Sequence, residues 1–218
     1  MVKAAVFLGE NNLEIREFPK PKVADDCALL KVTHCGVCGT DPHIYSGHLK
    51  VPTPTILGHE FSGILEEMGP NFPKKDMLGN ELKEGDAVTL GTSLVCGECF
   101  YCRFMPHRNN LCERCDIYGI TMTCDKPPHL FGGYAEYIYL LPNSWVFKVP
   151  EGLTLEEAAL ADPMACATKT FERAFQPGMP SSWDSFGIGK SVVIQGLGTI
   201  GILAAAAAKA AGAYPVIG

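Results

Sequence analysis

Six of the chain's ten cysteines fall between residues 96 and 124, five of them spaced as Cys96-x2-Cys99-x2-Cys102 followed by Cys112 and Cys115. This segment has little hydrophobic periodicity and cannot bury a core of its own, so a lobe of that size needs a staple. Cysteines two residues apart present both sulfurs to one ion across a tight turn, and four thiolates around zinc make a closed tetrahedron with no vacancy. Cys96, Cys99, Cys102 and Cys112 are the expected set, with Cys115 the alternative fourth ligand and Cys124 a spare. Structural zinc contributes roughly 10 to 16 kcal/mol in small peptides, against about 2 to 4 for a disulfide.

Disulfides are a poor alternative on other grounds. Met1 to Leu8 lacks the apolar region and cleavage site of a secretory signal. A cytoplasmic location, where thiols stay reduced, is therefore expected. The most lipophilic stretch, Ile200 to Ala208, is broken by Lys209 and is far short of the roughly 20 apolar residues of a membrane span, so no membrane association is expected. With 18 basic and 24 acidic side chains the net charge is -6, which disfavours nucleic acid as a partner.

Up to Pro150 the chain reads as short strands punctuated by Gly and Pro: Val2 to Leu8, Leu13 to Glu17, Ala28 to His34, Phe61 to Met68, Ala87 to Leu90, Tyr134 to Leu140 and Val146 to Val149. These predict a partly open barrel. Thr154 and Glu157 form a capping box ahead of a short helix, and Asp162-Pro163 predicts a second helix with Asp162 as cap and Cys166 in its opening turn. From Ser191 the pattern is strand, glycine turn, alanine-rich helix and strand, the opening of a nucleotide-binding β-α-β unit. The fold class is thus mixed α and β, with a barrel domain over 1–180, carrying the cysteine lobe at 93–125, and an incomplete parallel α/β unit over 181–218.

Two further constellations carry chemistry. Cys35-Gly-Val-Cys38 follows a strand, Gly58-His59-Glu60 comes some twenty residues later, and Cys166 lies far downstream. Two thiolates and an imidazole make a three-ligand zinc site with one open position, where a substrate oxygen can bind. Cys38, His59 and Cys166 are the expected ligands, with Asp162 the alternative third. A redox dithiol at Cys35 and Cys38 is disfavoured because no helical pattern follows Cys38. Gly196-Leu197-Gly198-Thr199-Ile200-Gly201, between strand and helix, predicts a pyrophosphate cradle.

Gly36-Val-Cys-Gly-Thr-Asp41, Gly58-His-Glu60, the cysteine lobe, Gly132-Gly-Tyr-Ala-Glu-Tyr137 and the glycine turn together resemble the zinc-dependent medium-chain alcohol dehydrogenases, in that family's order and over nearly the whole chain. The resemblance implies a GroES-like β-barrel catalytic domain followed by a Rossmann domain, two zinc ions per chain, and hydride transfer between an alcohol or polyol and NAD or NADP, the corresponding aldehyde or ketone being the other partner. It places Glu60 behind the catalytic zinc, Asp41 as acceptor from the zinc-bound imidazole, Thr40 as the hydroxyl that takes the substrate proton, and His43 at the far end of that relay. The metal's task is large, because lowering a bound oxygen's pKa from about 16 to about 7 is worth on the order of 12 kcal/mol. Two features depart from the family. Nine residues separate Cys102 from Cys112, more than is common there. Family members are also considerably longer and form homodimers or tetramers, so the resemblance implies a C-terminally truncated chain without the usual interface segment. The alternative reading is a non-catalytic zinc-binding GroES-like domain or fragment.

Overall fold

The computed structural model describes residues 1–174, 186 and 189–218, and the domain boundary expected at 180/181 lies outside them. The chain divides into two compact units, Met1–Leu160 and Ala161–Gly218.

In the first unit, β1 (Val2–Gly9) and β2 (Asn12–Phe18) form a hairpin with Val2 opposite Phe18. There follow β3 (Ala28–Gly36), the short helix α1 (Thr40–Tyr45), β4 (Thr55–Ile56), β5 (Glu60–Met68), β6 (Ala87–Gly91) and β7 (Ser93–Leu94). Helix α2 (Phe100–Phe104), a 3-10 turn over Pro106–Leu111, β8 (Asp116–Ile117), β9 (Tyr137–Leu140), β10 (Trp145–Lys148) and α3 (Leu155–Ala158) complete it. Five strands build one sheet in the order β10-β6-β5-β3-β9, and β2-β1-β4 build a second. Every pairing in both is antiparallel.

Ala28, Leu29 and Leu30 at the start of β3 are all fully buried, because successive side chains enter different cores. Leu30 joins Phe61, Leu65, Val88, Leu90, Ile138 and Leu140, whereas Leu29 joins Val2, Val6, Ile56 and Leu130. A strand covered on both faces needs an unbroken apolar run, and this one has it. The Ala5 N–H donates to the Tyr134 carbonyl at 2.8 Å, tying the two sheets into a curved wall. The barrel expected from the sequence is this arrangement.

Among the described residues, Tyr118 is the largest fully buried side chain. Its hydroxyl accepts from the Leu141 N–H at 2.8 Å and lies 2.9 Å from Ser144 Oγ. Tyr118→Phe keeps the ring but strands that amide, and a buried donor left unsatisfied costs about 1 to 3 kcal/mol. The expected result is a lower urea midpoint at unchanged m-value, measured by far-ultraviolet circular dichroism. An unchanged midpoint would show that the amide finds another acceptor.

The second unit holds α4 (Ala161–Ala174), β11 (Val192–Val193), α5 (Thr199–Ala210) and β12 (Val216–Ile217). β11 and β12 pair in parallel, Val192 with Val216 and Val193 with Ile217. Ala207 and Ala208 are buried on α5, as expected for an alanine face packed close to a sheet.

Several local expectations change. The capping box is present, with Thr154 Oγ1 accepting from the Glu157 N–H and Glu157 accepting from the Thr154 N–H. Helix α4, however, begins at Ala161, so Asp162 lies inside its first turn instead of capping it. Cys166 is consequently in the second turn, beyond the four orphan amides, and the dipole argument for its thiolate loses force. A helix does follow Cys38, because Asp41 and Pro42 open α1 instead of a plain turn. Proline is at home in a first helical turn, where its missing N–H costs nothing.

Candidate metal centres and glycine turn

In the cysteine lobe, the sulfurs of Cys96, Cys99, Cys102 and Cys112 lie within 4.8 Å of one another. Cys96 Sγ is 3.9 Å from Cys102 Sγ, the Cys96 N–H donates to Cys112 Sγ at 3.3 Å, and the Cys99 N–H donates to Cys96 Sγ at 3.4 Å. Amides of Glu98 and Cys99 pull the Cys96 thiol down to about 6, and amides of Glu113 and Cys102 lower Cys99. Partial burial and the Cys99 sulfur push Cys102 up to about 12. Amides turned onto sulfur favour thiolates, and four sulfurs at this spacing suit a tetrahedral ion. Cys115 is outside the cluster, its sulfur directed to the Asp116 carbonyl at 3.5 Å. Cys124 is buried in the core with Leu29 and Val6.

The second centre is built by strand pairing. β3 and β5 run antiparallel with Gly36 opposite Glu60 and Cys35 opposite Phe61. That register brings the loop after β3 against the start of β5, and ligand atoms of Cys38, His59 and Glu60 lie within 4.8 Å of one another. Cys38 Sγ lies 3.5 Å from Thr40 Oγ1, and His43 is an exposed residue on the same helix. Its ring centroid is 5.9 Å from that of His48, whose Nδ1 is 3.0 Å from Ser46 Oγ.

Asp41 and His59 are each only 7% exposed at the side chain, with Asp41 Oδ1 4.0 Å from His59 Nδ1. Among the described residues, these are the buried side-chain polar atoms without a hydrogen-bond partner. Burying two such atoms unpaired is costly, and the chain keeps them facing each other beside a thiol. An imidazole held by metal through its other nitrogen would present an N–H toward that carboxylate. The donor set, soft sulfur plus imidazole and carboxylate, suits zinc.

Cys35 is not part of this group. Burial, and then the Asp41 carboxylate, push its thiol up to about 12, which keeps it protonated. A Cβ at Gly58 would come within 2.9 Å of its sulfur and 2.7 Å of the Tyr134 ring, so the bare backbone of Gly58 is what lets both side chains in. This is a packing thiol, and the redox-pair reading fails with it, although the helix now known to follow Cys38 would otherwise have favoured that reading. The sequence pattern puts Tyr134 in a strand. The strand begins at Tyr137 instead, and the Tyr134 hydroxyl donates to Asp41 Oδ2 at 2.8 Å, across 93 positions of sequence. No local pattern carries that signal.

Cys166 and Asp162 both lie on α4 in the second unit, Cys166 exposed and Asp162 half-buried. In the same unit, Gly196 has φ +93°, Gly198 is the N-cap of α5, and Leu197, Thr199 and Ile200 are exposed. A Cβ at Gly201 would lie 1.9 Å from the Gly196 carbonyl oxygen, so helix and turn approach too closely for any other residue. Gly198 provides no side-chain cap, and uncapped first amides of a helix suit an anion. Among the described residues, no helix is long and apolar enough to cross a membrane.

Comparison with known proteins agrees with this geometry. Residues 24–151, more than half of the chain, match the alcohol dehydrogenase GroES-like domain family. The sorbitol dehydrogenase of Bacillus subtilis is 32% identical over 221 residues, covering 99% of this chain and 55% of the relative. The crystal structure of an alcohol dehydrogenase from Thermotoga maritima superposes with a TM-score of 0.85 at 34% identity, over 99% of this chain and 56% of that one. A structure described as a zinc-binding dehydrogenase of Sinorhizobium meliloti, bound to NADP, gives 0.80 at 31% identity, over 99% and 55%. The chain thus spans about half the length of the relatives it matches. The match over the barrel, the whole-chain structural likeness and the ligand order agree: this chain belongs to the alcohol dehydrogenase GroES-like family, that of the zinc-dependent medium-chain alcohol dehydrogenases.

Proposed function

We propose that the protein serves hydride transfer between a small alcohol or polyol and NAD or NADP, with aldehyde or ketone as the oxidised partner. The observation that carries this reading is the buried, facing pair of Asp41 and His59 beside Cys38. Residues 1–180 are assigned to the GroES-like catalytic domain and 181–218 to the opening of the Rossmann domain. Cys38, His59 and Cys166 would hold the catalytic zinc, with Asp162 the alternative to Cys166, and Cys96, Cys99, Cys102 and Cys112 would hold a structural one. When bound at the first site, zinc supplies Lewis-acid polarisation of the substrate oxygen.

The chain's own residues do the rest. Asp41 Oδ1 faces His59 Nδ1 at 4.0 Å and would favour the tautomer with its proton on Nδ1, which leaves Nε2 free to ligate. Glu60, whose carboxylate lies within 4.8 Å of the Cys38 and His59 ligand atoms, would stand behind the ligands as an added negative charge. Thr40 Oγ1 would accept the substrate's hydroxyl proton as it gives up its own to the cofactor ribose, and His43, exposed on the same helix, would pass that proton on to water. Gly196 to Gly201 offer backbone amides to the dinucleotide's pyrophosphate. Thiol ligands at both centres suit the reducing cytoplasm.

The test is native mass and zinc content per chain, with a fluorescence titration of NADH and NADPH. Two zinc ions with dinucleotide binding are expected. Zinc without dinucleotide affinity would favour a non-catalytic zinc-binding domain, and no metal at Cys38 would end the proposal. Gly201→Ala forces a methyl onto the Gly196 carbonyl, so dinucleotide affinity is expected to fall about tenfold or more, equivalent to about 1.4 kcal/mol. Zinc content should stay the same.

A further inference from the structure

Resting on that reading of the Cys38–His59 centre, we propose that Tyr134 is a positioning residue for the metal, acting through Asp41. The Asp41 carboxylate has two oxygens with separate duties. Oδ2 accepts from the Cys38 N–H at 2.8 Å and from the Tyr134 O–H at 2.8 Å, while Oδ1 faces His59 Nδ1. Two donors converging on one oxygen fix the rotation of the carboxylate, and that rotation aims the other oxygen at the imidazole. The Cys38 amide alone leaves the group free to swing about one hydrogen bond. A second donor from a distant part of the chain removes that freedom.

Tyr134 is suited to this. Its backbone is pinned by the Tyr134 N–H to the Leu57 carbonyl at 2.9 Å, and its carbonyl accepts from the Ala5 N–H. Its ring lies against the bare Cα of Gly58, beside His59. Burial and the Asp41 carboxylate raise the phenol well above its ordinary range, which favours its donor form. One side chain therefore touches both the residue before the imidazole ligand and the carboxylate that orients it.

Tyr134→Phe keeps the ring on Gly58 and removes only the donor. Partners behind a metal ligand commonly contribute 10- to 100-fold in metal affinity, and a loss of about tenfold is expected at this centre in chelator competition. The four-thiolate lobe should keep its metal. In the cobalt(II)-loaded chain the visible ligand-field bands should shift, which loss of general stability would not cause. Asp41→Ala should lose affinity at least to a similar degree, and the double variant should be no worse than Asp41→Ala alone, since without the carboxylate Tyr134 has nothing to act through. Undiminished affinity in Tyr134→Phe, or losses that multiply in the double variant, would overturn the inference. Cys38→Ser separates this from the site reading: if it leaves metal content unchanged, the site itself is wrong, whereas metal lost in Cys38→Ser but held in Tyr134→Phe removes only the role of Tyr134.

Discussion

Cys112→Ser is expected to release one zinc ion per chain and open the segment from 96 to 115 while both hydrophobic cores stay folded. Among the described residues from 96 to 115, little else holds the segment. Helix α2 buries none of its residues, and Phe100 and Phe104 are 56% and 72% exposed. β7 and β8 contribute two residues each, and the ion pair of Arg114 with Glu98 is on the surface, where such pairs contribute about 1 kcal/mol at most. Structural zinc at roughly 10 to 16 kcal/mol exceeds all of these together. The measurement is zinc content with limited proteolysis, and cleavage should appear between 96 and 115 first. Cys115→Ser is the internal comparison, since that sulfur lies outside the cluster. Retention of both metals in Cys112→Ser with loss in Cys115→Ser would reverse the assignment of the fourth ligand.

On the proposed function, Cys38→Ser should remove the other metal and, with it, turnover. Losing the Lewis acid forfeits several kcal/mol of charge stabilisation, and at 1.36 kcal/mol per decade that is about 1,000-fold or more in rate. The assay is alcohol oxidation with NAD or NADP across an alcohol and polyol panel, with zinc counted in the same preparation. Cys35→Ser is the contrast: its thiol is protonated and serves packing, so metal content should hold while stability falls modestly. Turnover unaffected by Cys38→Ser would remove that residue from the chemistry.

Much of this was legible before any coordinates. Alternation and apolar runs located the long strands to within a few residues, because side chains on a pleated strand report burial with period two. The capping box and glycine turn are local signals, and both are where the sequence placed them. Strands β4, β7 and β8 are two residues each, too short to have a period at all. Helix α1 was hidden because Asp41-Pro42 opens a turn and a helix equally well. The start of α4 was misplaced for the same reason, one acidic residue before proline being compatible with a cap or a first turn. Among the site residues, Cys38 and His59 announced themselves by type and spacing, and their neighbourhood is seen in the fold. Tyr134 did not, since its partner is set by the pairing of distant segments and not by any spacing within the motif that contains it.

The register of β3 against β5 also sets an order of assembly. Gly36 pairs with Glu60 in that ladder, so Cys38 and His59 stand at the ends of paired strands whose pairing needs no ion. The lobe's ladder is only β7 against β8, two residues each, set outside its sulfurs. A nascent chain short of zinc would therefore ripen its barrel and leave the cysteine loop open, and the two centres would fill on different schedules from the same cellular supply.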